Sequence, residues 1–492
     1  MNNDKEEDRK IFRSISLFGG IQVIQVIFSL IRAKIVAILL GPSGIGILSL
    51  FMSTTNIIST FSGLGLNFSA VRQISLANNS IDTTILNRVI NVFKQWMYFT
   101  AILGLFITLI FSRQLSFYTF GSNDYTSSFI ILSISLIFTT LYNRNIAVLQ
   151  GLQKLKHLAY SAVLGSGISL FLSIPVFYFM GENGIVYSIL AASIVTFIIS
   201  SLFIKWNNFE SSYISFSNLF HEGKDSVKLG LIMMISSLIG TIVTFLVNIY
   251  IRNLGGIKDV GLYHAGITLT TQYIGLIFTS MSLDYFPRLS SVSENNDEVK
   301  IMVNKQLNIV FLIASPLIIL LIILAPLIIN TLFSKDFNSI VTFVRIVCLG
   351  LLFKTASFPI GYISFAKGDK KTFFIFDALL GNLMTITFNI ILYKYFGLNG
   401  LGVSFLLVFL IYFFVITYIT KIKYSFIIDN LFYFNFFKIL IIALLSFGIT
   451  FFPINIYSIL SQIFIIIYIS VRSYSDLNRI IDFRGFFNMY KQ

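Results

Sequence analysis

Charge is what this sequence has least of. Only 11% of its 492 residues are Asp, Glu, Lys or Arg, against about 25% in soluble globular domains. That shortfall excludes a water-soluble fold. Cysteine is nearly absent: Cys348 stands alone inside an apolar run, which excludes a disulfide framework and any CxxC redox or metal site. The three histidines, His157, His221 and His264, are far apart and show no ligand spacing, so no metal and no cofactor is expected. No GxxxxGK[ST] loop and no long soluble segment occur, so ATP is not the expected energy source. Alternating apolar and polar strands are missing too, which excludes a β-barrel.

What is present is apolar. Hydrophobic residues make up 56% of the chain and 53 positions are Phe. They fall in runs of about 20 residues separated by short polar breaks, the pattern of transmembrane helices. The acidic start, MNNDKEEDRK, does not suit a signal peptide, so the first apolar run is read as uncleaved. Fourteen spans are expected, near 13–40, 44–70, 95–112, 127–149, 158–180, 184–204, 229–251, 260–283, 306–333, 338–362, 372–393, 398–420, 432–452 and 455–471.

A net charge of +14 would suggest nucleic acid in a soluble chain; here topology accounts for it. With the N-terminus in the cytoplasm, 26 of the 35 Lys and Arg fall in cytoplasmic tails and loops or in the span ends that border them, 5 in outer loops and 4 deeper inside spans. This bias follows the positive-inside rule. The expected organisation is a cytoplasmic tail (1–12), an N-terminal six-helix lobe (13–204) and a linker (205–228). A C-terminal six-helix lobe (229–420), two extra spans (421–471) and a cytoplasmic tail (472–492) follow.

The second half repeats the first. GPSGIGIL at 41–48 answers to GGIKDVGLY at 255–263, with Gly46 against Gly261, and Arg72 answers to Arg288. A second match aligns AVLGS at 162–166 with ALLGN at 378–382, and MGENGIVYSIL at 180–190 with FGLNGLGVSFL at 396–406. The two offsets are 215 and 216 residues. Six spans separate the copies, so both have the same orientation. The fold class read from this is an all-α polytopic membrane protein of about fourteen helices. Two six-helix lobes are related by a parallel pseudo-two-fold axis, with substrate between them.

An ionisable side chain at membrane depth costs at least ~2.5 kcal/mol and so needs a reason. Arg32 lies on a polar stripe with Gln25 and Ser29, which argues for an aqueous lumen against a structural pair or interface anchor. Lys34 points elsewhere and can snorkel to the surface. Lys354 shares a small, polar face with Gly350, Ser357 and Gly361, and is read as a lumen residue. Arg345 lies nine residues before Lys354, on the opposite face of the same helix, and either faces the lumen or meets Asp336. Asp377, well inside its span, is expected at the depth of Lys354 and is a candidate ion-pair partner. Asp284 and Arg288 are read as a surface pair, and Arg72 as the interfacial stop of its helix.

The run RAKIVAILLGPSGIG, the helix ending NFSAVRQIS and the two six-helix lobes resemble the polysaccharide transporter branch of the MOP superfamily, with Wzx-type O-antigen flippases as the nearest likeness. The likeness covers residues 11 to about 420; the last two spans are similar to the fourteen-helix members, which include lipid II flippases. It implies a transporter, not an enzyme. The cargo implied is an undecaprenyl-diphosphate-linked oligosaccharide moving from the cytoplasmic to the outer leaflet of the bacterial inner membrane, through a cationic cavity. It further implies membrane lipids, a coupling ion (proton or sodium) and the polymerase and chain-length proteins of that pathway as partners, and no nucleic acid. Two other readings stand beside it. A multidrug or organic-cation exporter of the same superfamily needs an intramembrane acid, and the first six spans hold none. A membrane glycan polymerase or ligase needs a sizeable outer loop, and none is long enough.

Overall fold

A computed structural model describes residues 2–78, 83–205, 216–453 and 455–480. They are helical almost throughout, with no strand among them. The helices are α1 (Asn2–Ser62), α2 (Leu66–Asn78), α3 (Thr83–Ile110), α4 (Ser112–Phe120), α5 (Thr126–Gly151), α6 (Leu155–Met180) and α7 (Gly184–Lys205). There follow α8 (Phe216–Ser291), α9 (Asn296–Leu332), α10 (Val341–Ala366), α11 (Lys370–Phe373), α12 (Gly381–Tyr424), α13 (Asn430–Ile449) and α14 (Ile456–Ile480). Among the described residues, ten helical stretches are long and apolar enough to cross a membrane.

Four of the ten are broken by a glycine. Gly41 interrupts α1 at φ 65° and ψ −166°, and Gly256 interrupts α8 at φ 79° and ψ 179°. Gly181 ends α6 at φ 57° and ψ −137°, and Gly397 interrupts α12 at φ 56° and ψ −141°. A side chain at any of these φ values meets its own backbone, so glycine is the residue that turns the chain there. Pro42 follows the first break, at a helix start where its missing N–H costs nothing. Each broken stretch divides in two, which is compatible with fourteen spans. The conformations also match in pairs, Gly41 with Gly256 and Gly181 with Gly397, at the repeat offsets of the sequence.

The chain forms two compact units, Met1–Gly261 and Leu262–Gln492. In the first, α6 packs on α7 and α1, while α5 packs on α3, α7 and α2. The segments after Gly41 and Gly256 touch through their backbones. A Cβ on Gly46 would lie 2.1 Å from the Ile257 carbonyl oxygen, and one on Gly261 would lie 1.8 Å from that of Pro42. The contact is reciprocal: each glycine answers the other in the repeat, and so do Pro42 and Ile257. In lipid, helix association rests on close packing rather than on the hydrophobic effect, and small residues permit it.

In the second unit α10 is central, packed between α12 and α9. Phe311, Phe353, Phe413, Phe432 and Phe436 form a ring cluster joining α9, α10, α12 and α13, with neighbouring centroids 5.3–6.3 Å apart. Asn304 of α9 holds the turn into α13: its amide donates to the Ile427 carbonyl (3.0 Å) and its oxygen accepts from the Asp429 N–H (2.9 Å).

Several boundaries differ from the sequence expectation. The second span does not stop at Arg72. It ends at Ser62, turns through Leu64 (φ 50°) and Gly65 (φ 64°), and resumes as α2, which carries an exposed Arg72 in its middle. The loop expected at 113–126 contains α4, closed by Gly121 in the left-handed conformation. Arg252 donates from Nη2 to the Tyr118 carbonyl (2.8 Å) in the last turn of α4, where a cation favours the helix dipole. Part of the linker expected at 205–228 lies outside the described residues.

Candidate functional site

Lys354 sits at the middle of the 26-residue α10, deeper than a helix ending near 362 would place it. Nothing local in the sequence holds its ammonium; three distant phenylalanines do. Nζ lies 5.9 Å from the ring centroid of Phe278 on α8, and 5.8 and 5.0 Å from those of Phe405 and Phe409 on α12. The negative face of each ring attracts the cation, and the attraction grows where water is excluded. Among the described residues no carboxylate pairs with Lys354.

The ammonium borders a cavity of about 450 Å³, lined on its polar side by Ser357, Tyr362, Asn382, Thr385 and Tyr412 and otherwise mainly by phenylalanines. Ser357 and Gly361, placed on the Lys354 face by helical spacing, line it. Gly350 does not: it meets Phe405 and Leu406, with a Cβ position 2.7 Å from the Phe405 ring. The chain departs from α-helix beside this cavity. Phe374–Leu380 is a π-helix, and the cavity residues Phe373 and Gly381 flank it. Such segments are rare and recur at functional sites. Asp377 lies in its backbone, but its side chain lies outside the described residues, so the Lys354–Asp377 pair stays a proposal.

The other candidates are placed differently. Arg345 donates from Nε to the Ile322 carbonyl on α9 (3.1 Å). Four residues beyond Ile322 stands Pro326, which has no N–H to offer that carbonyl. The guanidinium fills the gap, so Arg345 has a backbone partner on α9. Arg32 is half-buried, and its Nε is sealed from solvent without a hydrogen-bond partner. Its side of α1 is turned to α6: Phe28 meets Gly167, and Ile35 and Leu39 share a groove with Ile174 and Phe179. Gln25 and Ser29 are half-buried and Lys34 is exposed. Arg288 and Asp284 form an exposed ion pair one turn apart on α8. Arg32 and Lys354 belong to different units.

Sequence reasoning missed one cation. Arg144, a cation at the cytoplasmic side by charge bias, lies within α5. Nε and Nη2 donate to Asn145 Oδ1 (3.0 and 2.8 Å), and the guanidinium lies 5.3 Å from the Tyr98 ring. Asn145 is fully buried and donates in turn to Ser200 and Ser201 on α7 (2.9 and 3.0 Å). Its position inside the span at 127–149 was the available signal. The Lys354 cage had none, since its rings are scattered along the chain.

At the turn before α11, Asp369 accepts from the Thr372 N–H (3.0 Å), the Thr372 hydroxyl (2.7 Å), the Tyr424 hydroxyl (2.8 Å) and Lys423 (3.1 Å). These bonds, those from Thr372 above all, hold its carboxyl well below the usual carboxylate range. The cluster ties the start of α11 to the end of α12.

Comparison with known proteins agrees with this architecture. A curated relative described as "Putative O-antigen transporter", from Shigella flexneri, is 24% identical over 383 residues, covering 74% of this chain and 87% of its own. An inward-facing multidrug resistance MATE family transporter of the MOP superfamily superposes with a TM-score of 0.70 at 17% identity, over 82% of this chain and 94% of its own. The lipid II flippase MurJ, in an inward closed conformation, gives 0.68 at 18% identity, over 95% and 99%. A MOP superfamily transporter from Pyrococcus furiosus gives 0.59 at 15% identity, over 84% and 95%. These likenesses show the fold, that of MOP superfamily transporters, as the sequence resemblance implied. The model of the family described as "Polysaccharide biosynthesis protein" matches residues 35–342, more than half of the chain, and the protein belongs to that family.

Proposed function

We propose that the protein is a flippase for an undecaprenyl-diphosphate-linked oligosaccharide, carrying it from the cytoplasmic to the outer leaflet of a bacterial inner membrane. The observation that carries this reading is the half-buried cation of Lys354, at the middle of an apolar helix and beside a 450 Å³ cavity, within a chain of the polysaccharide biosynthesis family. Moving a diphosphate through hydrocarbon requires charge compensation along the route, because an unpaired charge there costs several kcal/mol. Lys354 offers that compensation from a helix midpoint, and Arg32 is the second candidate cation. The prenyl tail stays in lipid, and the two six-helix lobes alternate access by rocking. Both termini are cytoplasmic in this scheme. A coupling ion, proton or sodium, and the polymerase and chain-length proteins belong to the same scheme. The O-antigen transporter relative and the MurJ-like fold support it.

The MATE-like fold also suits an exporter of organic cations. An exporter of that kind needs an acid to hold its cargo, and the first six expected spans contain none. Deleting the gene should abolish surface glycan and leave lipid-linked intermediates on the cytoplasmic side. It should leave sensitivity to cationic drugs unchanged. Drug sensitisation with intact surface glycan would overturn the flippase reading.

A further inference from the structure

The Lys354 cavity has more chemistry than an anion site needs. An isolated phosphate requires a cation and a few donors. Here the ammonium stands at one side, and the other described lining residues are mainly aromatic rings and oxygen acceptors. The Ser357 hydroxyl donates to the Lys354 carbonyl (3.0 Å) and the Thr385 hydroxyl to the Gly381 carbonyl (2.8 Å). Asn382 commits an amide hydrogen to the Ala378 carbonyl (2.7 Å). With those protons spent on their own helices, these side chains offer mainly oxygen lone pairs. The matching ligand supplies hydroxyl donors. A hydrocarbon chain would leave the acceptors unmet, and bare phosphate would not use the rings. Tyr362 and Tyr412 add flat aromatic faces with polar edges, a surface for the C–H face of a sugar ring. The volume lies within the ~300–1,000 Å³ of small-ligand sites. The π-helix between the lining residues Phe373 and Gly381 adjoins this cavity, and such segments recur at functional sites.

We infer that this cavity binds a pyranosyl phosphate, the sugar that adjoins the diphosphate in a lipid-linked oligosaccharide. Lys354 meets the phosphate, and Tyr362, Asn382 and Thr385 meet the ring. The inference deepens the flippase reading and rests on it, since it assigns one part of that cargo to one lobe. It also gives the site a selectivity that charge alone lacks.

The test uses the full-length protein in lipid nanodiscs. The probes are glucose 1-phosphate, galactose 1-phosphate and N-acetylglucosamine 1-phosphate, with the three free sugars and inorganic phosphate as controls. At least one sugar phosphate should bind tenfold or more tightly than phosphate and than its own free sugar. Lys354→Gln should reduce that ligand to the level of the free sugar. Tyr362→Leu should reduce it to the level of phosphate. Equal affinity for phosphate and every sugar phosphate would overturn the inference, leaving an anion site. So would the absence of any binding that Lys354→Gln weakens. Transport of a lipid-linked oligosaccharide in reconstituted vesicles separates the two claims. Normal transport by both variants would refute the subsite and leave the flippase reading standing. No transport by the unaltered protein would refute that reading instead.

Discussion

A lysine at the middle of an apolar helix is destabilising unless something holds it. Three rings partly hold Lys354, and no described acid does. Lys354→Met removes a half-buried charge at membrane depth while keeping the stem. The variant should be more stable than the parent, by up to ~2.5 kcal/mol on membrane-insertion scales, and should lose surface glycan display. Thermal melting in detergent and glycan staining would check both. A less stable Met variant would mean the ammonium is structurally paired. Arg345 predicts the opposite split. Arg345→Met strands the Ile322 carbonyl beside Pro326, a loss of about 1–3 kcal/mol. Transport per folded molecule should be retained, measured as glycan display normalised to membrane protein. The sequence showed both cations as residues in need of a reason, and showed Pro326. It could not show that the proline's orphan carbonyl faces Arg345, because that pairing joins α9 to α10. Arg144 was legible, since the expected span at 127–149 contains it.

Glycine turns and reciprocal packing are the account at the scale of elements. The repeat in the sequence led directly to Gly41 and Gly256, and to Gly181 and Gly397, whose conformations match in pairs. Turn chemistry is local, so it could be read from the chain. The π-helix at Phe374–Leu380 was not readable, since one extra residue in a turn leaves apolar periodicity almost unchanged. The close contact of Gly46 with Ile257 and of Gly261 with Pro42 predicts a steric effect. Gly261→Val pushes side-chain atoms against a backbone carbonyl that cannot give way cheaply. It should cost about 1–3 kcal/mol, seen as a lower melting temperature, with Gly275→Val as control because nothing lies within 4 Å of a Cβ there. Equal losses at both positions would contradict the contact. The Asp369 cluster predicts a pH dependence. Its folded pKa lies below the unfolded value of about 3.9. Its stabilisation is therefore complete above that value and is lost as pH falls below it. The stability gap between the parent and Asp369→Asn should be constant from pH 5 to 8 and should shrink below about pH 4.

For the whole molecule, low charge, apolar runs and the bias of Lys and Arg between loops led to a multi-pass helical fold, and the fold of MOP superfamily transporters agrees with it. What the chain could not announce is the assembly of its site: Phe278, Phe405 and Phe409 lie far apart in sequence and converge only when α8, α10 and α12 pack. The central claim is that this assembly moves a lipid-linked saccharide between leaflets. The most direct measurement reconstitutes the purified protein in vesicles with a fluorescent undecaprenyl-diphosphate oligosaccharide and follows its accessibility to an impermeant quencher or glycosidase. Protein-dependent transfer between leaflets is expected, lowered at least tenfold by Lys354→Met. Transfer no faster than in protein-free vesicles would contradict the claim.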